Sequence, residues 1–341
     1  MNLTEARRVI RALRSGVVSS ESVTTTSVGT ASIEDALASR LRAFASGLVG
    51  SNAIILEGDW GAGKSHLLML CRTIASDLSI PWVHGTIDGR THSLSHLHRC
   101  ISGWLDAMRV GSCMGLRLVL ESGAIPRESS LKWTNEHTGN FAQGLRDALN
   151  GHPMGWLRVL GHFYSSPDYS YQHAKAVDLF CSTAEFLRDL EKSGIVLMLD
   201  EVENIAREYD LRGRRRSYDT LNRFITHGSI FTILFVTQRF VAIARNDFER
   251  GVFDNWMNWP PGAVSFLNHL QGVERLRVPP LDEICAEELI SKIQGLHRNA
   301  YGPGVPISSR RVIDAWRATP TRSTRLLIRM VIQELDLALG E

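Results

Sequence analysis

A glycine-rich octapeptide, set between an apolar run and a helical pattern, is the feature that most constrains the fold of this chain. Gly58 to Ser65, GDWGAGKS, matches GxxxxGK[ST] at every fixed position. Asn52 to Glu57 before it is an apolar run of strand length, and Ser65 to Leu78 after it carries apolar residues at helical spacing. Strand, glycine loop and helix in this order predict the opening unit of an α/β fold with a parallel sheet flanked by helices.

The octapeptide has the chemistry of a phosphate-binding loop (P-loop). Its glycines let successive backbone N–H groups approach phosphate oxygens, and the following helix presents the positive end of its dipole. Lys64 would place its ammonium on the β and γ phosphates, where it also assists catalysis, and Ser65 would offer its hydroxyl to Mg²⁺. A glycine turn that only links a strand to a helix is the alternative, but the flanking pattern favours ATP and Mg²⁺ as ligands. The residues predicted to contact the nucleotide are Gly58, Asp59, Trp60, Gly61, Ala62, Gly63, Lys64, Ser65, His66 and, near the C-terminus, Arg322.

A second apolar run ends in a pair of acids. Ile195 to Leu199 leads into Asp200 and Glu201. In P-loop ATPases a carboxylate at the end of such a strand helps to hold Mg²⁺, and we assign this role to Asp200. Glu201 is predicted to orient and deprotonate the attacking water, whereas Glu203 is expected to be an outer carboxylate. We expect this strand to lie next to the strand that enters the glycine loop.

Two weaker signals follow. Phe231 to Val236 predicts a buried strand that ends at Thr237, whose hydroxyl could contact the γ-phosphate or the water, or could only cap the next turn. Arg322 and Arg325 stand in the predicted first turn of the last helix, where cations oppose the helix dipole and an external phosphate would compensate them. A solvated helix start remains the alternative for Arg322.

The densest basic cluster comprises Arg212, Arg214, Arg215 and Arg216, which we place in a loop before a helix from Tyr218 to Ile225. A run of like charge is most often a solvated face. DNA phosphate contacts, or an arginine finger offered to a neighbouring subunit, are the sharper interpretations.

Composition limits the class of protein. With 341 residues, 44% of them hydrophobic, the chain can bury a large core, and its net charge of +2 is too small for a dedicated nucleic-acid binder. Because no apolar stretch approaches the roughly 20 residues of a membrane span, we expect a cytoplasmic protein without membrane contact. Trp256 and Trp259 are interpreted as packing anchors or an interface.

The pattern along the chain predicts three regions. They are a leading helix with an extended Ser/Thr-rich arm (1–32), a core (33–280) with a mostly helical elaboration at about 88–181, and a helical lid (281–341).

Five segments together resemble a known family: EARRVIRALRSGVVSSESV, GDWGAGKSHLL, LMLDEVENI, and the lid sequences LDEICAEELISKIQGLHRNAYG and TPTRSTRLLIRMVI. The chain resembles the ATP-binding P-loop proteins of the BREX bacteriophage-defence system, and its lid resembles those of AAA+ ATPases of the initiator and helicase-loader type. By this resemblance Lys64 and Ser65 take Walker A positions, Asp200 and Glu201 the Walker B pair, Thr237 a sensor 1 position and Arg322 a sensor 2 position.

The resemblance implies an AAA+-like ATPase of an anti-phage gene cluster that associates with itself and engages DNA or a partner helicase. Gln238 and Arg239, which follow the sensor strand, depart from the expected small residues, and no winged-helix domain is expected between the lid and Glu341. A nucleotide-gated switch with slow hydrolysis, which scaffolds partner proteins, is the alternative function. A metabolic kinase ranks third, because no small-substrate pocket is readable in the sequence.

Overall fold

The computed structural model of the protein describes residues 1–48, 52–161, 168–190, 193–208, 211–247, 261–304 and 306–340. Trp256 and Trp259 lie outside the described residues. Over the described residues the chain is a mixed α/β protein, as the sequence predicts. Among these residues no helix combines the length and the apolar character that crossing a bilayer requires.

The described elements follow the predicted strand and helix patterns closely near the glycine loop and less closely elsewhere. The strands are β1 Ala53–Glu57, β2 Trp82–Thr86, β3 Arg109–Val110, β4 Cys113–Met114, β5 Ile195–Asp200, β6 Ile230–Val236 and β7 Glu274–Arg277. The α-helices are α1 Leu3–Arg14, α2 Ser20–Thr26, α3 Ala31–Ala45, α4 Lys64–Asp77, α5 Ile101–Ala107, α6 Leu116–Glu121, α7 Arg127–Glu136, α8 Asn140–Leu149, α9 Pro153–Val159, α10 Tyr169–Asp189, α11 Leu211–Thr226, α12 Phe240–Asp247, α13 Pro261–Gly272, α14 Glu283–Tyr301, α15 Ser309–Arg317 and α16 Thr324–Leu339. Short 3₁₀ helices cover Leu94–Arg99 and Val202–Arg207.

The strands of the described residues form one sheet in the order β4-β3-β2-β5-β6-β1-β7. Strands β2, β5 and β6 run parallel, with Thr86 opposite Asp200, whereas β3 and β4 form an antiparallel edge. Every residue of β6, and every residue of β5 before Asp200, is buried. This burial matches the unbroken apolar runs, because parallel strands have both faces covered.

The sheet order corrects one expectation about the acidic strand. β5 does not lie next to β1, because β6 stands between them. Parallel strands are joined by crossover connections, so order along the chain does not fix order in the sheet. As a result, Thr237 directly follows β6, the strand that lies between β1 and β5.

The chain divides into two compact units. The phosphate-loop unit comprises Met1–Ala38, Glu57–Thr73 and Leu276–Glu341, and the sheet unit comprises Ser39–Leu56 and Ile74–Arg275. The regions predicted from the sequence, 1–32, 33–280 and 281–341, stay a prediction.

The phosphate-loop unit has a helical core to which the leading helix contributes. α1 opens with a capping box, in which Asn2 Oδ1 accepts from Glu5 N and Glu5 Oε2 accepts from Asn2 N, each at 2.9 Å. Its apolar face, formed by Ala6, Val9, Ile10 and Leu13, is buried in one cluster with residues of α14, α15 and α16. The leading helix therefore packs with the helices of the predicted lid.

The Ser/Thr-rich segment after α1 is not the extended arm that its composition suggests, since it contains the seven-residue helix α2. Ser19 and Ser22 form a capping box at its start. Further along, Thr25 and Thr26 donate their hydroxyls to carbonyls four residues earlier, at 2.9 and 2.6 Å. Here the hydroxyls that usually compete with helix formation satisfy the helix's own carbonyls instead.

The sheet unit packs helices against β2, β5 and β6. Aromatic side chains of α10 and α11 dominate this core, with Phe180 and Phe224 fully buried and their ring centroids 5.3 Å apart. Residues 88–181 are mostly helical, as expected, but they also contain the short strands β3 and β4.

Candidate nucleotide-binding site

The glycine loop runs from the end of β1 to the first residue of α4 and makes two left-handed turns. Gly61 has φ +78° and Gly63 has φ +110°, values that side-chain-bearing residues rarely adopt. A Cβ on Gly61 would lie 2.7 Å from Ser323 Cβ. Around the corresponding point on Gly63, no atom of the described residues lies within 4 Å, apart from those of Gly63 and its two chain neighbours. Gly61 thus allows close packing against Ser323, and Gly63 leaves space where a phosphate could approach the backbone.

Lys64 is the first residue of α4, and its side chain turns back over the loop. Its ammonium donates to the Gly58 carbonyl at 2.6 Å and to the Asp59 carbonyl at 3.3 Å. It also stands 5.7 Å from the centroid of the Trp60 ring. The loop therefore already directs a positive charge toward its own centre.

The remaining loop residues are mostly accessible. Asp59, Trp60 and Ser65 are exposed, with the Trp60 side chain 66% accessible. The Asp59 carbonyl accepts from the Ala62 backbone N–H at 3.1 Å, which closes a turn inside the loop. Ser65 lies in the first turn of α4, so its hydroxyl can supply an oxygen ligand of the kind that Mg²⁺ prefers.

His66 is partly buried, and it contacts the N-terminal segment. Its Nε2 lies 2.7 Å from Ser27 Oγ. Burial lowers the pKa of the imidazole. His66 therefore makes a packed contact, in addition to being a candidate ligand of the nucleotide.

The start of α16 packs on the loop through Arg325 and through Ser323, which the sequence did not single out. Ser323 caps α16 by accepting from Leu326 N at 3.3 Å, and its side chain fills the space beside Gly61. Arg325, in the first turn, has its Cβ 3.8 Å from the point where a Cβ of Gly61 would be.

Arg322 precedes the cap of α16, so it does not lie in the first helical turn as expected. It has φ +41°, and its Nε donates to the Arg317 carbonyl at 3.1 Å. Arg322 is thus turned toward the C-terminus of α15, and its predicted contact with a phosphate stays a prediction.

In the sheet unit, Asp200 and Glu201 stand at the carboxyl end of β5. Asp200 Oδ1 accepts from the Glu201 backbone N–H at 2.9 Å. Glu201 adopts the left-handed conformation, with φ 56° and ψ 36°, directly before the 3₁₀ helix that begins at Val202. Such a backbone costs about 1–3 kcal/mol, and it persists where the surrounding structure imposes it.

Asn204 imposes the arrangement around Glu201. Its side-chain amide is buried and donates both hydrogens, one to the Ile87 carbonyl and one to Glu201 Oε2, each at 2.9 Å. Its backbone N–H also donates to the Glu201 carbonyl at 2.9 Å. Asn204 thus links the end of β2 to the carboxylate predicted to activate water. The Asx side chain three residues after an acidic pair is a signal that could have suggested this role.

Thr237 and Glu203 meet at the end of β6. The Thr237 backbone N–H donates to Glu203 Oε2 at 3.4 Å, and its carbonyl accepts from Phe240 N at 3.0 Å at the start of α12. Glu203 therefore connects the segment that follows β5 to the end of β6, and its predicted position outside the metal site stays a prediction.

The arginine cluster lies on a helix, because α11 begins at Leu211, and the predicted loop is wrong. Arg214 is mostly buried and donates to the Glu208 carbonyl at 2.9 Å and to Asp247 Oδ1 at 3.1 Å. Tyr218 donates its hydroxyl to the other oxygen of Asp247 at 2.8 Å. Asp247 compensates the cation that would otherwise oppose the helix dipole. Arg214 therefore has a structural partner and is not part of a solvated face.

Each unit brings together its own part of the predicted site. The phosphate-loop unit gathers the loop, Lys64, Ser65 and His66 with Ser323 and Arg325, and the sheet unit gathers Asp200 and Glu201 at the end of β5. The sequence missed Asn204 and Ser323, since their roles depend on contacts far along the chain.

Comparison with known proteins bears on the first part of the chain. Residues 2–97 match the model of the family described as BREX system ATP-binding protein BrxC/D. Over these residues the chain is BrxC/D-like. The predicted resemblance is thereby confirmed for the segment that holds α1, α2 and the phosphate loop. A comparison with curated proteins found no match.

Proposed function

We propose that this BrxC/D-like chain binds ATP with Mg²⁺ in its phosphate loop and has a P-loop NTPase core of the AAA+-like type. The observation that carries the proposal is the loop, in which Gly61 and Gly63 at positive φ lead directly into Lys64 at the start of a 14-residue helix. In this conformation backbone N–H groups turn inward, and the helix dipole favours an anion at the same place. The match of residues 2–97 to a family described as ATP-binding supports the same ligand.

Hydrolysis is assigned to the residues that close β5 and β6. Mg²⁺, when bound through Ser65 and Asp200, would neutralise charge on the phosphates. Lys64 stabilises the developing charge on the transferred phosphoryl oxygens, and Glu201 orients and deprotonates water. Thr237 contacts the γ-phosphate or the water. Phosphoryl transfer needs mainly positioning and charge stabilisation, and these residues supply both.

Arg325 is added to the proposed nucleotide contacts beside Arg322. Its Cβ lies against the loop at Gly61, whereas the Arg322 guanidinium donates to a carbonyl of α15. Of the two arginines, Arg325 therefore has the shorter path to a phosphate bound in the loop.

The proposed setting is BREX phage defence in the cytoplasm, as a motor or loader that assembles with itself and engages DNA or a partner helicase. A nucleotide-gated switch with slow hydrolysis is the second candidate function. One observation favours it: Arg214, in the cluster from which an arginine finger could come, is already engaged by the Glu208 carbonyl and by Asp247.

The rate of ATP hydrolysis measured against protein concentration, with and without DNA, separates the two functions. A steep rise in the rate per chain, abolished by Glu201→Gln, supports a self-assembling motor. A flat, very low rate that DNA does not alter supports the switch. If Glu201→Gln hydrolyses ATP as fast as the wild type, the assignment of Glu201 is wrong.

A further inference from the structure

Ser27 makes hydrogen bonds in several directions at the end of α2. Its hydroxyl lies 2.9 Å from the Val23 carbonyl and 2.7 Å from His66 Nε2. The single hydroxyl hydrogen is donated to Val23, so the oxygen accepts from His66, whose proton we accordingly assign to Nε2. The first turn of the phosphate-loop helix thereby donates a hydrogen bond to the N-terminal segment.

The backbone of Ser27 connects the same point to the lid. Its carbonyl accepts from Lys292 Nζ at 2.6 Å, and Lys292 pairs with Glu288 at 2.7 Å on α14. One residue therefore touches both α4 and α14, within a single compact unit.

A glycine two residues further on fits closely against α14. Gly29 has φ +66°, and a Cβ there would lie 2.9 Å from Cys285 Sγ in the first turn of α14. Residues 19–30, which we name the N-terminal clasp, are thus held against α14 by close packing as well as by Lys292.

The clasp contacts the first turn of α4, next to the proposed Mg²⁺ ligand. His66 directly follows Ser65, the proposed Mg²⁺ ligand, and both lie in the first turn of α4. A change in the orientation of this turn necessarily alters the donor geometry at Ser27, because hydrogen bonds weaken steeply with misalignment.

The geometry points to a coupling device: the N-terminal clasp transmits nucleotide occupancy of the phosphate loop to α14, through the His66–Ser27 hydrogen bond and the Ser27–Lys292 hydrogen bond. This inference rests on the proposed function, since it needs ATP in the loop. It makes Ser27 and Lys292 positioning residues, whose effect on the nucleotide is indirect, and it adds a positioning role to His66, the candidate nucleotide contact.

Hydrogen–deuterium exchange of the full chain, with and without a slowly hydrolysed ATP analogue and Mg²⁺, tests the coupling. In the wild type, the analogue is expected to slow exchange of peptides from the clasp and from the first turns of α14 by about tenfold, the effect of strengthening a hydrogen bond or two. His66→Ala and Ser27→Ala are expected to lose this response in both segments. His66→Gln and Ser27→Thr, which keep a donor and an acceptor at these positions, are expected to restore it.

Lys292→Met tests the Ser27–Lys292 hydrogen bond separately from the His66–Ser27 hydrogen bond. The clasp response is expected to persist, whereas the α14 response is lost. Ser15→Ala is the matched control, because Ser15 also ends a helix, donates its hydroxyl to a carbonyl four residues earlier and accepts a basic side chain on its own carbonyl. In the part of the chain that the structure describes, it makes no hydrogen bond to a histidine. Its response is expected to equal that of the wild type.

Binding of the analogue is measured in the same samples by calorimetry. If wild type and Ser27→Ala bind the analogue and show the same exchange response, the coupling is overturned and the proposed function stands. If the wild type does not bind, both are overturned. A loss of response that Ser27→Thr fails to rescue would also overturn the coupling, since it would reflect packing alone.

Discussion

Replacing Asn204 by alanine is expected to slow ATP hydrolysis much more than it weakens ATP binding. In the structure, the buried Asn204 amide donates to Glu201 Oε2 and to the Ile87 carbonyl, each at 2.9 Å. The substitution removes both hydrogen bonds at the residue assigned to water activation. Glu201 then loses the contact that fixes its carboxylate.

The magnitude follows from the type of bond. A hydrogen bond to a charged group contributes about 1.5–3 kcal/mol, and each 1.4 kcal/mol in a barrier is a factor of ten. If the whole free energy of the Asn204–Glu201 hydrogen bond stabilises the transition state, Asn204→Ala slows single-turnover hydrolysis about tenfold to a hundredfold. Asn204→Asp is expected to be slower still, because it places a second carboxylate against Glu201.

The assay is single-turnover hydrolysis at saturating ATP, together with equilibrium binding and urea denaturation. Asn222→Ala is the matched control, since Asn222 is also buried in the sheet unit and donates its amide to Ser265 Oγ at 3.1 Å. Both alanine variants should lose stability, but Asn204→Ala alone should lose rate. Equal rates in the two variants would refute the positioning role of Asn204.

Two further predictions concern the glycine loop and acid stability. Gly61→Ala should lower the melting temperature more than Gly63→Ala, because both residues adopt positive φ but a Cβ on Gly61 alone would meet Ser323, at 2.7 Å. Equal effects on stability, measured calorimetrically without nucleotide, would contradict the packing argument. Burial, with the neighbouring Arg216, lowers the pKa of His173 to about 3, so the unfolded chain takes up this proton first as the pH falls. The stability contribution of the neutral His173 is complete above about pH 6.5 and declines toward pH 3, which amounts to a loss on the order of 2–3 kcal/mol by pH 4.5. His173→Gln keeps a donor to Thr220 and should reduce the loss of unfolding free energy below about pH 6.5, measured by urea titrations at several pH values. If this loss is as large in the variant as in the wild type, a different titratable group causes it.

The parts of the fold that the sequence predicted are those in which local pattern and final environment agree. β1, β5 and β6 are predominantly apolar because both faces of these strands are covered, and α1 shows a clear apolar face with a capping signal. Strand order was not predictable, since β6 inserts between β1 and β5 through crossover connections that leave no trace in local sequence.

The helix α2 was missed because serine and threonine usually favour turns, and their use as donors to helix carbonyls depends on the detailed backbone. The two-residue strands β3 and β4 are too short to show the alternation of apolar and polar residues by which a strand is recognised in a sequence. In the candidate site, the loop could be predicted residue by residue, since its motif is contiguous. For Asn204, the spacing of three residues from Glu201 is a local signal, but its contact with Ile87 spans 117 positions of the chain and could not be predicted.

Calorimetric titration of ATP and Mg²⁺ into the wild type, Lys64→Ala and Lys132→Ala tests the central claim most directly. Lys132 is an exposed lysine whose ammonium lies 3.9 Å from Glu136 in the described structure, so its variant controls for the loss of one positive charge. Saturable binding to the wild type and to Lys132→Ala, with a large loss of affinity in Lys64→Ala, is the predicted result. Undiminished binding to Lys64→Ala would contradict the assignment of the glycine loop as the nucleotide site.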